Sequence, residues 1–508
     1  MEGLILLAII VPIAWGIGLL LRPADKNRKT MLFWVSFGLA VTTLLSCGIL
    51  FLGDMELYVF SLGENMEVYF HTDSIGRIFQ SIITLIFPLV GIYAFEYMGY
   101  QKLFYSFYLM VYGVLLALCY AGNIVTFYLF YEMMSIFSMP LVFHLRTREA
   151  VMAGLKYLFY SLCGAYFVLF GIYFLNQYTT TLHFTAGGTL DMAKVAGNEG
   201  LLLVSAMSVI VGFGVKAGMV PLHAWLPTAH PIAPAPASAV LSSIIVKMGV
   251  FGILRVVYGL FGVNFLRGTW VQTVWLALTL ITIFLGSMLA YREKVFKKRL
   301  AYSTVSQVSY ILFGMALMQP QALTGSLLHI LFHAVIKSTL FMTAGAVICK
   351  CGIERVEQMR GIGKKMPKIL YCYTICSLAL IGIPPASGFI SKWHLAIGSF
   401  NAEIPVFSWF GPIVLLISAL LTAGYLLPIV IDGFFVGKEH QQVYLKEMAS
   451  DTNLSDDRVL FEDTDFSKKE PSLYMTVPML ILAGLALILG VFPNICVNYI
   501  SELVKILC

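Results

Sequence analysis

The chain has 508 residues, of which only 12% are Asp, Glu, Lys or Arg, roughly half the ~25% usual in soluble proteins. With 59% hydrophobic residues and a mean hydropathy of +0.85, it carries too few charges to coat a soluble protein of this size. A soluble enzyme, a disordered chain and a coiled coil are excluded, and the net charge of +6 follows membrane topology rather than a nucleic-acid patch.

About fourteen apolar segments reach the ~20 residues needed to span a bilayer. They run roughly over 3–21, 31–53, 76–96, 103–120, 122–143, 150–176, 201–221, 235–261, 270–290, 300–318, 322–348, 368–399, 406–432 and 474–500. The first, Gly3 to Leu21, has no basic flank before it and no small-residue cleavage site, so it reads as a transmembrane helix rather than a signal peptide. The runs are continuous and too long for barrel staves, so strands are not expected in them.

The 33 Lys and Arg divide unevenly among the loops. Twenty-three fall on one face: around Arg22–Lys29, at Lys102, at Arg146 and Arg148, over Arg292–Arg299, over Lys350–Lys368 and over Lys438–Lys469. Only four, Arg77, Lys194, Arg267 and Lys505, fall on the other. The preference of basic loops for the cytoplasm puts both termini outside. The remaining six lie within spans: Lys156, Lys216, Lys247, Arg255, Lys337 and Lys392.

A charge at the bilayer centre costs roughly 2.5–3.5 kcal/mol even on mild scales. Lys156 and Arg255 sit within two turns of predicted helix ends and are able to snorkel to the interface. Lys216, Lys247, Lys337 and Lys392 need water or partners. Glu132 is the one acid near the middle of a span, and Lys216 is its expected partner, either in a closed structural pair or in one that opens and closes.

Segment 7 is broken by Pro221, Pro227, Pro231, Pro234 and Pro236, which follow Lys216 and enclose His223 and His230. Segment 11 sets His329, His333 and Lys337 four residues apart, on one helical stripe with steps of ~6 Å. That spacing suits proton transfer through one intervening water. Satisfied core histidines and a metal site are the alternatives, but Ile330 departs from HExxH and no third ligand is evident. Segment 12 is broken at Pro384 and Pro385, close to Lys392 and His394. Irregular backbone at membrane depth persists only where protein or water covers it.

Lys216 and Lys392 are 176 residues apart, and segments 4–8 and 9–13 form two blocks of five. Five crossings each make the blocks an inverted repeat, an arrangement that places ion sites at discontinuous helices. The expected fold is therefore an all-α polytopic membrane protein with two inverted five-helix repeats and broken helices 7 and 12. Its parts are an N-terminal region at 1–102, repeats at 103–261 and 270–432, a cytoplasmic acidic linker at 433–473 and a last helix at 474–508. The linker reads as a flexible connector or a docking surface. Nine cysteines include no CxxC pair, so no iron–sulfur cluster, zinc or other cofactor is expected in this chain.

At these residues the sequence resembles the proton-antiporter-like subunit family. Its members include the large membrane-arm subunits of respiratory complex I, the A and D subunits of Mrp-type Na+/H+ antiporters, and subunits of membrane-bound hydrogenases. The likeness is carried by Tyr131-Glu132-Met133-Met134, by the stretch Lys216–His230, by Lys247-Met248-Gly249-Val250, by Arg299–Gln307 and by the His329–Lys337 stripe. It implies an ion path through Glu132, Lys216, Lys247, His230, His329, His333, Lys337 and Lys392, with Lys156, His223 and His394 as auxiliaries and no catalytic residue. Lysine at position 392 is closer to the Mrp D and hydrogenase types than to relatives with glutamate there. The sequence stops soon after segment 14, so the lateral helix of the most distal complex I subunit is not expected, nor is a quinone site. The implied role is a non-redox, H+- or Na+-translocating subunit in the plasma membrane of a prokaryote. It would work beside sister antiporter-like and small membrane subunits, with redox drive from partners or as part of a Mrp antiporter. A passive scaffold, whose buried charges only fix helix register, is the rival from another class.

Overall fold

The computed structural model describes residues 3–22, 28–63, 66–435 and 470–507. Lys26, Lys438, Lys446, Arg458, Lys468 and Lys469, and most of the predicted acidic linker, lie outside the described residues. Helices α1 (Gly3–Leu21), α2 (Arg28–Phe51), α3 (Ser74–Tyr97), α4 (Lys102–Tyr120), α5 (Ile124–Val142) and α6 (Arg148–Tyr178) follow the predicted segments closely. Helix α7 is in two halves, Glu199–Ala217 and Leu226–Ile232. Next come α8 (Ala235–Phe261), α9 (Trp270–Arg292), α10 (Phe296–Ala316) and α11 (Pro320–Cys351). Helix α12 is again in two halves, Pro367–Ile381 and Ser387–Phe400, and is followed by α13 (Phe407–Phe434), α14 (Leu473–Val491) and a final amphipathic α15 (Asn494–Leu507).

Twelve of the described helices are long and apolar enough to cross a membrane by themselves, so the chain is an all-α, multi-pass membrane protein. The two other predicted segments are α10, whose first turn holds Lys297, Lys298 and Arg299, and α12, whose halves are each too short alone. The breaks have a common cause. Each first half ends at a glycine in the left-handed region, Gly218 (φ 78°) and Gly382 (φ 94°), and the prolines that follow cannot resume the helix at once.

Within each block successive helices pack on one another, though on different halves of the broken helix. Helix α4 packs on α5, α5 on α6 and α6 on the first half of α7; α9 packs on α10, α10 on α11 and α11 on the second half of α12. The blocks meet where α10 lies against the second half of α7 and α11 against α8. The most apolar stretch of α8 is buried along its whole length and that of α11 along 94% of it, against 33% for α1 and α2. The helices that carry Lys247 and the histidine stripe are thus at the centre.

One element departs from the expected all-helical pattern. Strands β1 (Glu56–Gly63) and β2 (Met66–His71) form an antiparallel hairpin between α2 and α3. Their short runs Leu57–Phe60 and Val68–Phe70, rich in β-branched and aromatic residues, are a strand signal too short to register against twenty-residue spans. The hairpin is held to the start of α5 by Asn123 Nδ2, which donates to the Glu67 carbonyl at 2.8 Å, and to the loop after α6 by a hydrogen bond between the Glu67 carboxylate and His183 Nε2.

The snorkelling option for Arg255 is also corrected. Its side chain is 2% exposed and makes a two-pronged ion pair with Asp73, the N-cap of α3, while its guanidinium lies over the rings of Phe184 and Phe251. The cap residue supplies a partner on another helix. Burial by itself would raise the Asp73 carboxyl, but the Arg255 guanidinium and the Gly76 amide hold it below its ordinary value. Losing this carboxylate leaves a buried cation unpaired, so Asp73→Asn should destabilise the detergent-solubilised protein by about 3 kcal/mol. A carboxyl held low contributes stability above its unfolded value, ~3.9. The melting-temperature gap between wild type and Asp73→Asn should therefore be full at neutral pH and close as the pH falls below ~4. A gap that does not change with pH would contradict the assignment.

Candidate functional site

Lys216 sits in the last turn of the first half of α7 and is fully buried. An ammonium has three hydrogens to donate, and three hydroxyls receive them: Ser135 Oγ on α5 at 2.8 Å, and Tyr157 Oη and Ser161 Oγ on α6 at 2.9 and 2.8 Å. Tyr157 and Ser161 are four residues apart and so share a face of α6. Nζ also lies 4.3 Å from the centre of the Tyr157 ring. Among the described residues no ion pair joins Lys216 to Glu132, so the closed pair is not present. Glu132 is one turn before Ser135 on α5; Ser135 meets the lysine, and Glu132 Oε1 is buried without a hydrogen-bond partner.

Helix α8 reaches this site because position 249 has no side chain. A Cβ there would stand 2.5 Å from the Phe213 carbonyl oxygen and 3.1 Å from Lys216 Cβ. Two residues earlier, Lys247 is 1% exposed and finds its acceptors in its own helix. Residues Leu241–Ile245 form a π-helical turn, and Nζ donates to the carbonyls of Ser243 at 2.7 Å and Ser242 at 3.2 Å. A π turn leaves carbonyls without regular helical partners, which is why such turns recur at functional sites.

The helix α11 stripe lies as the spacing predicts. The rings of His329 and His333 stack 5.8 Å apart, and His329 Nδ1 hydrogen-bonds with Ser391 Oγ at 2.9 Å. Both ring nitrogens of His333, and His329 Nε2, are buried without a partner. Lys337 donates to the Leu300 carbonyl on α10 at 3.0 Å. Lys247 lies close enough to His329, His333 and Lys337 to interact with all three electrostatically. His230, in the second half of α7, is fully buried and stacks on Phe341 of α11, with both ring nitrogens unpartnered.

Lys392 reaches back across the break in α12. Its Nζ donates to the Leu380 and Ile381 carbonyls, at 2.7 and 2.9 Å, which end the first half. Those groups have no partner within the helix and stand at its negative end, so a cation there is doubly favoured. Nζ also lies 5.2 Å from the centre of the Tyr310 ring. Of the auxiliaries, Lys156 does not snorkel but donates to Thr228 Oγ1 in the second half of α7 at 3.0 Å. His223 and His394 are half-buried, each with an unpartnered Nδ1.

Two groups of residues are not legible as site residues in the sequence. The hydroxyls around Lys216 carry no charge and look like ordinary helix serines. Lys297 belongs by sequence to a basic loop, yet it is 7% exposed and donates to the Ala233 carbonyl at 2.6 Å, near His230. Among the described residues, no three His, Cys, Asp or Glu side chains gather as metal ligands.

Residues 121–420 match the family described as NADH:quinone oxidoreductase/Mrp antiporter, TM. NADH-quinone oxidoreductase subunit N of Desulforudis audaxviator is 32% identical over 344 residues, and hydrogenase-4 component B of Escherichia coli 33% over 347. These alignments cover 66% and 65% of this chain but only 66% and 51% of the relatives. The D-type subunit of the Na(+)/H(+) antiporter of Bacillus subtilis is 30% identical over 458 residues, covering 87% of this chain and 88% of the relative. In fold, the chain is similar to one in the Mrp complex of Dietzia sp. DQ12-45-1b (TM-score 0.82, 20% identity, covering 100% and 97%). It is equally similar to one in an archaeal membrane-bound sulfane sulfur reductase (TM-score 0.82, 21% identity, covering 99% and 97%).

The hydroxyl cage makes a stability prediction. Hydrogen bonds to a charged group contribute about 1.5–3 kcal/mol each, so Ser135→Ala with Ser161→Ala should lower thermal stability by several kcal/mol. Glu132→Gln, which touches none of the three bonds, should change it by less than ~1 kcal/mol. Thermal unfolding of the solubilised protein reads both, and the reverse order would mean that the carboxylate holds the lysine.

Proposed function

Because the chain belongs to the NADH:quinone oxidoreductase/Mrp antiporter membrane family, we propose that it is a proton-translocating subunit of a larger membrane complex. The observation that carries this reading is that Lys216, Lys247, Lys337 and Lys392 are hydrogen-bonded to neutral oxygens rather than carboxylates. A lysine in a carboxylate pair keeps its proton; one held by hydroxyls and carbonyls is able to release it. Neutral amines and imidazoles take up protons but are poor ligands for Na+, and their protonated forms repel it, so the proton is the ion this axis suits.

In this reading a proton reaches Lys247 from the basic face by way of His230. It passes to the His333 and His329 ring nitrogens and leaves through Lys392 toward the opposite face. Each transfer breaks one N–H bond and forms another. Glu132 tunes the path: brought close, its carboxylate stabilises the Lys216 ammonium, and drawn away it favours release. Glu132 is on a partly exposed part of α5, near Ile136, which is 54% exposed. A sister membrane subunit seated there would move the carboxylate, which gives coupling without redox chemistry in this chain. The imbalance of basic residues supports a cytoplasmic basic face and outward termini in a prokaryotic plasma membrane.

We favour a complex driven by electron transfer in partner subunits, as in the quinone oxidoreductase and hydrogenase relatives. A Mrp-type antiporter without redox chemistry is the second reading, supported by the fuller coverage of the Bacillus subtilis antiporter relative. Purifying the complex from native membranes decides between them: iron–sulfur signals in the co-purified partners support the first, and small membrane subunits alone the second.

The transport test uses Lys216→Ala, Lys392→Ala and Glu132→Gln in the intact complex reconstituted into vesicles. The two lysine variants should lose proton transport, about a hundredfold or more if a relay group acts as a proton donor. Glu132→Gln should weaken coupling while assembly persists. Undiminished pumping in all three would remove the proposal, and transport falling only in proportion to assembly would leave a passive scaffold.

A further inference from the structure

Among the described residues, the Arg299–Gln307 stretch hydrogen-bonds to the helix α11 stripe only at Leu300, whose carbonyl accepts from Lys337. In the structure it opens a second set of buried polar side chains in the other helix block. Ser303, Ser306 and Tyr310 follow one face of α10, and Ser418, Thr422 and Tyr425 one face of α13. Ser287 of α9 completes the set. All seven are at most 1% exposed.

Their hydroxyls bond one another rather than only their own helices. Ser287 Oγ is 2.8 Å from Ser306 Oγ and 2.5 Å from Ser418 Oγ, and Ser306 and Ser418 are 3.2 Å apart. One turn toward the basic face, Tyr425 Oη donates to Ser303 Oγ at 2.7 Å and approaches Thr422 Oγ1 at 3.3 Å. In the other direction the Tyr310 hydroxyl donates to the Leu415 carbonyl of α13 at 2.9 Å, one turn from Ser418, and the Tyr310 ring lies under Lys392 and stacks on His329 at 5.7 Å. The upper end is close to the surface: Arg299, four residues before Ser303, donates to the Tyr425 and Glu293 carbonyls.

We infer that this hydroxyl ladder is a second proton branch, joining the Lys392–His329 site to the basic face through α9, α10 and α13 rather than through His230. The inference rests on the proposed role of Lys392 in handling protons. A hydroxyl both donates and accepts, so a proton taken up at one oxygen is matched by one released from the next, and each O–H bond formed balances one broken. Sodium does not fit: hard cations need oxygens at ~2.3–2.6 Å around a central space, whereas these oxygens touch each other. A merely structural serine in a membrane helix commonly bonds its own i−4 carbonyl. Here three helices contribute one oxygen each to a shared contact.

The test uses the intact complex in vesicles with a pH-sensitive dye, and flux is normalised to assembled complex. Ser306→Ala with Ser418→Ala should lower flux per complex by about tenfold, the order expected when one hydrogen-bonded transfer step is lost. Tyr425→Phe, which removes a single oxygen, should lower it in the same direction, and Ser418→Thr, which keeps the hydroxyl, should retain it. Unchanged flux per complex in the serine pair and in Tyr425→Phe would overturn the branch, as would a fall explained wholly by lost assembly. Lys216→Ala is measured beside them. If it abolishes flux while the ladder variants do not, only the branch fails; if neither changes flux, the proposed function fails with it.

Discussion

An ammonium group at membrane depth must find three acceptors without water at hand, and most of this structure's irregularity follows from that demand. Carbonyls inside a regular helix already accept an intrahelical bond, and although Lys337 shares that of Leu300, the other buried lysines draw on irregular backbone or on side chains. Helix α12 is interrupted, and Lys392 receives the carbonyls of Leu380 and Ile381. Helix α8 widens into a π turn, and Lys247 receives those of Ser242 and Ser243. Lys297 is held by the Ala233 carbonyl just beyond the second half of α7, and Lys216 by side-chain hydroxyls because it ends the first half. Prolines and lysines that look like separate oddities in the sequence are parts of one arrangement.

The kind of acceptor matters as much as its presence. Arg255 is paired with a carboxylate through two guanidinium nitrogens, the fork geometry that suits a fixed ion pair. That pair fastens α8 to the start of α3 and is suited to permanence. The lysines have neutral acceptors instead, which satisfy the ammonium without fixing its charge. The structural role and the proposed transport role are thus distinguished by chemistry within a single helix: Arg255 near one end of α8 and Lys247 about two turns before it.

The sequence discloses much of this, and its omissions have physical causes. Long apolar runs, proline breaks and the four-residue spacing of His329, His333 and Lys337 are written in local order, and the structure follows them. Contacts between distant segments are not. Glu132 and Lys216 are two opposite charges at membrane depth, and nothing in their positions says that Ser135 is the residue of α5 that meets the lysine. Asp73 lies just outside a span, so a search for charges within spans does not mark it as the partner of Arg255. The hairpin at Glu56–His71 is shorter than the window that finds helices. Ser287, Ser306 and Ser418 come from three helices and are individually ordinary; only the fold makes them a cluster.

The proposed transport requires His230, His333 and His329 to stand on a hydrated line between the lysines. Buried polar atoms are almost always hydrogen-bonded, and the ring nitrogens of His230 and His333 have no protein partner. A high-resolution electron cryo-microscopy map of the intact complex tests this directly. Ordered waters are expected within hydrogen-bonding distance of both His333 nitrogens, continuing toward Lys247 on one side and His329 on the other. A dry, closely packed interior at full assembly, with these nitrogens facing only carbon, would contradict the relay.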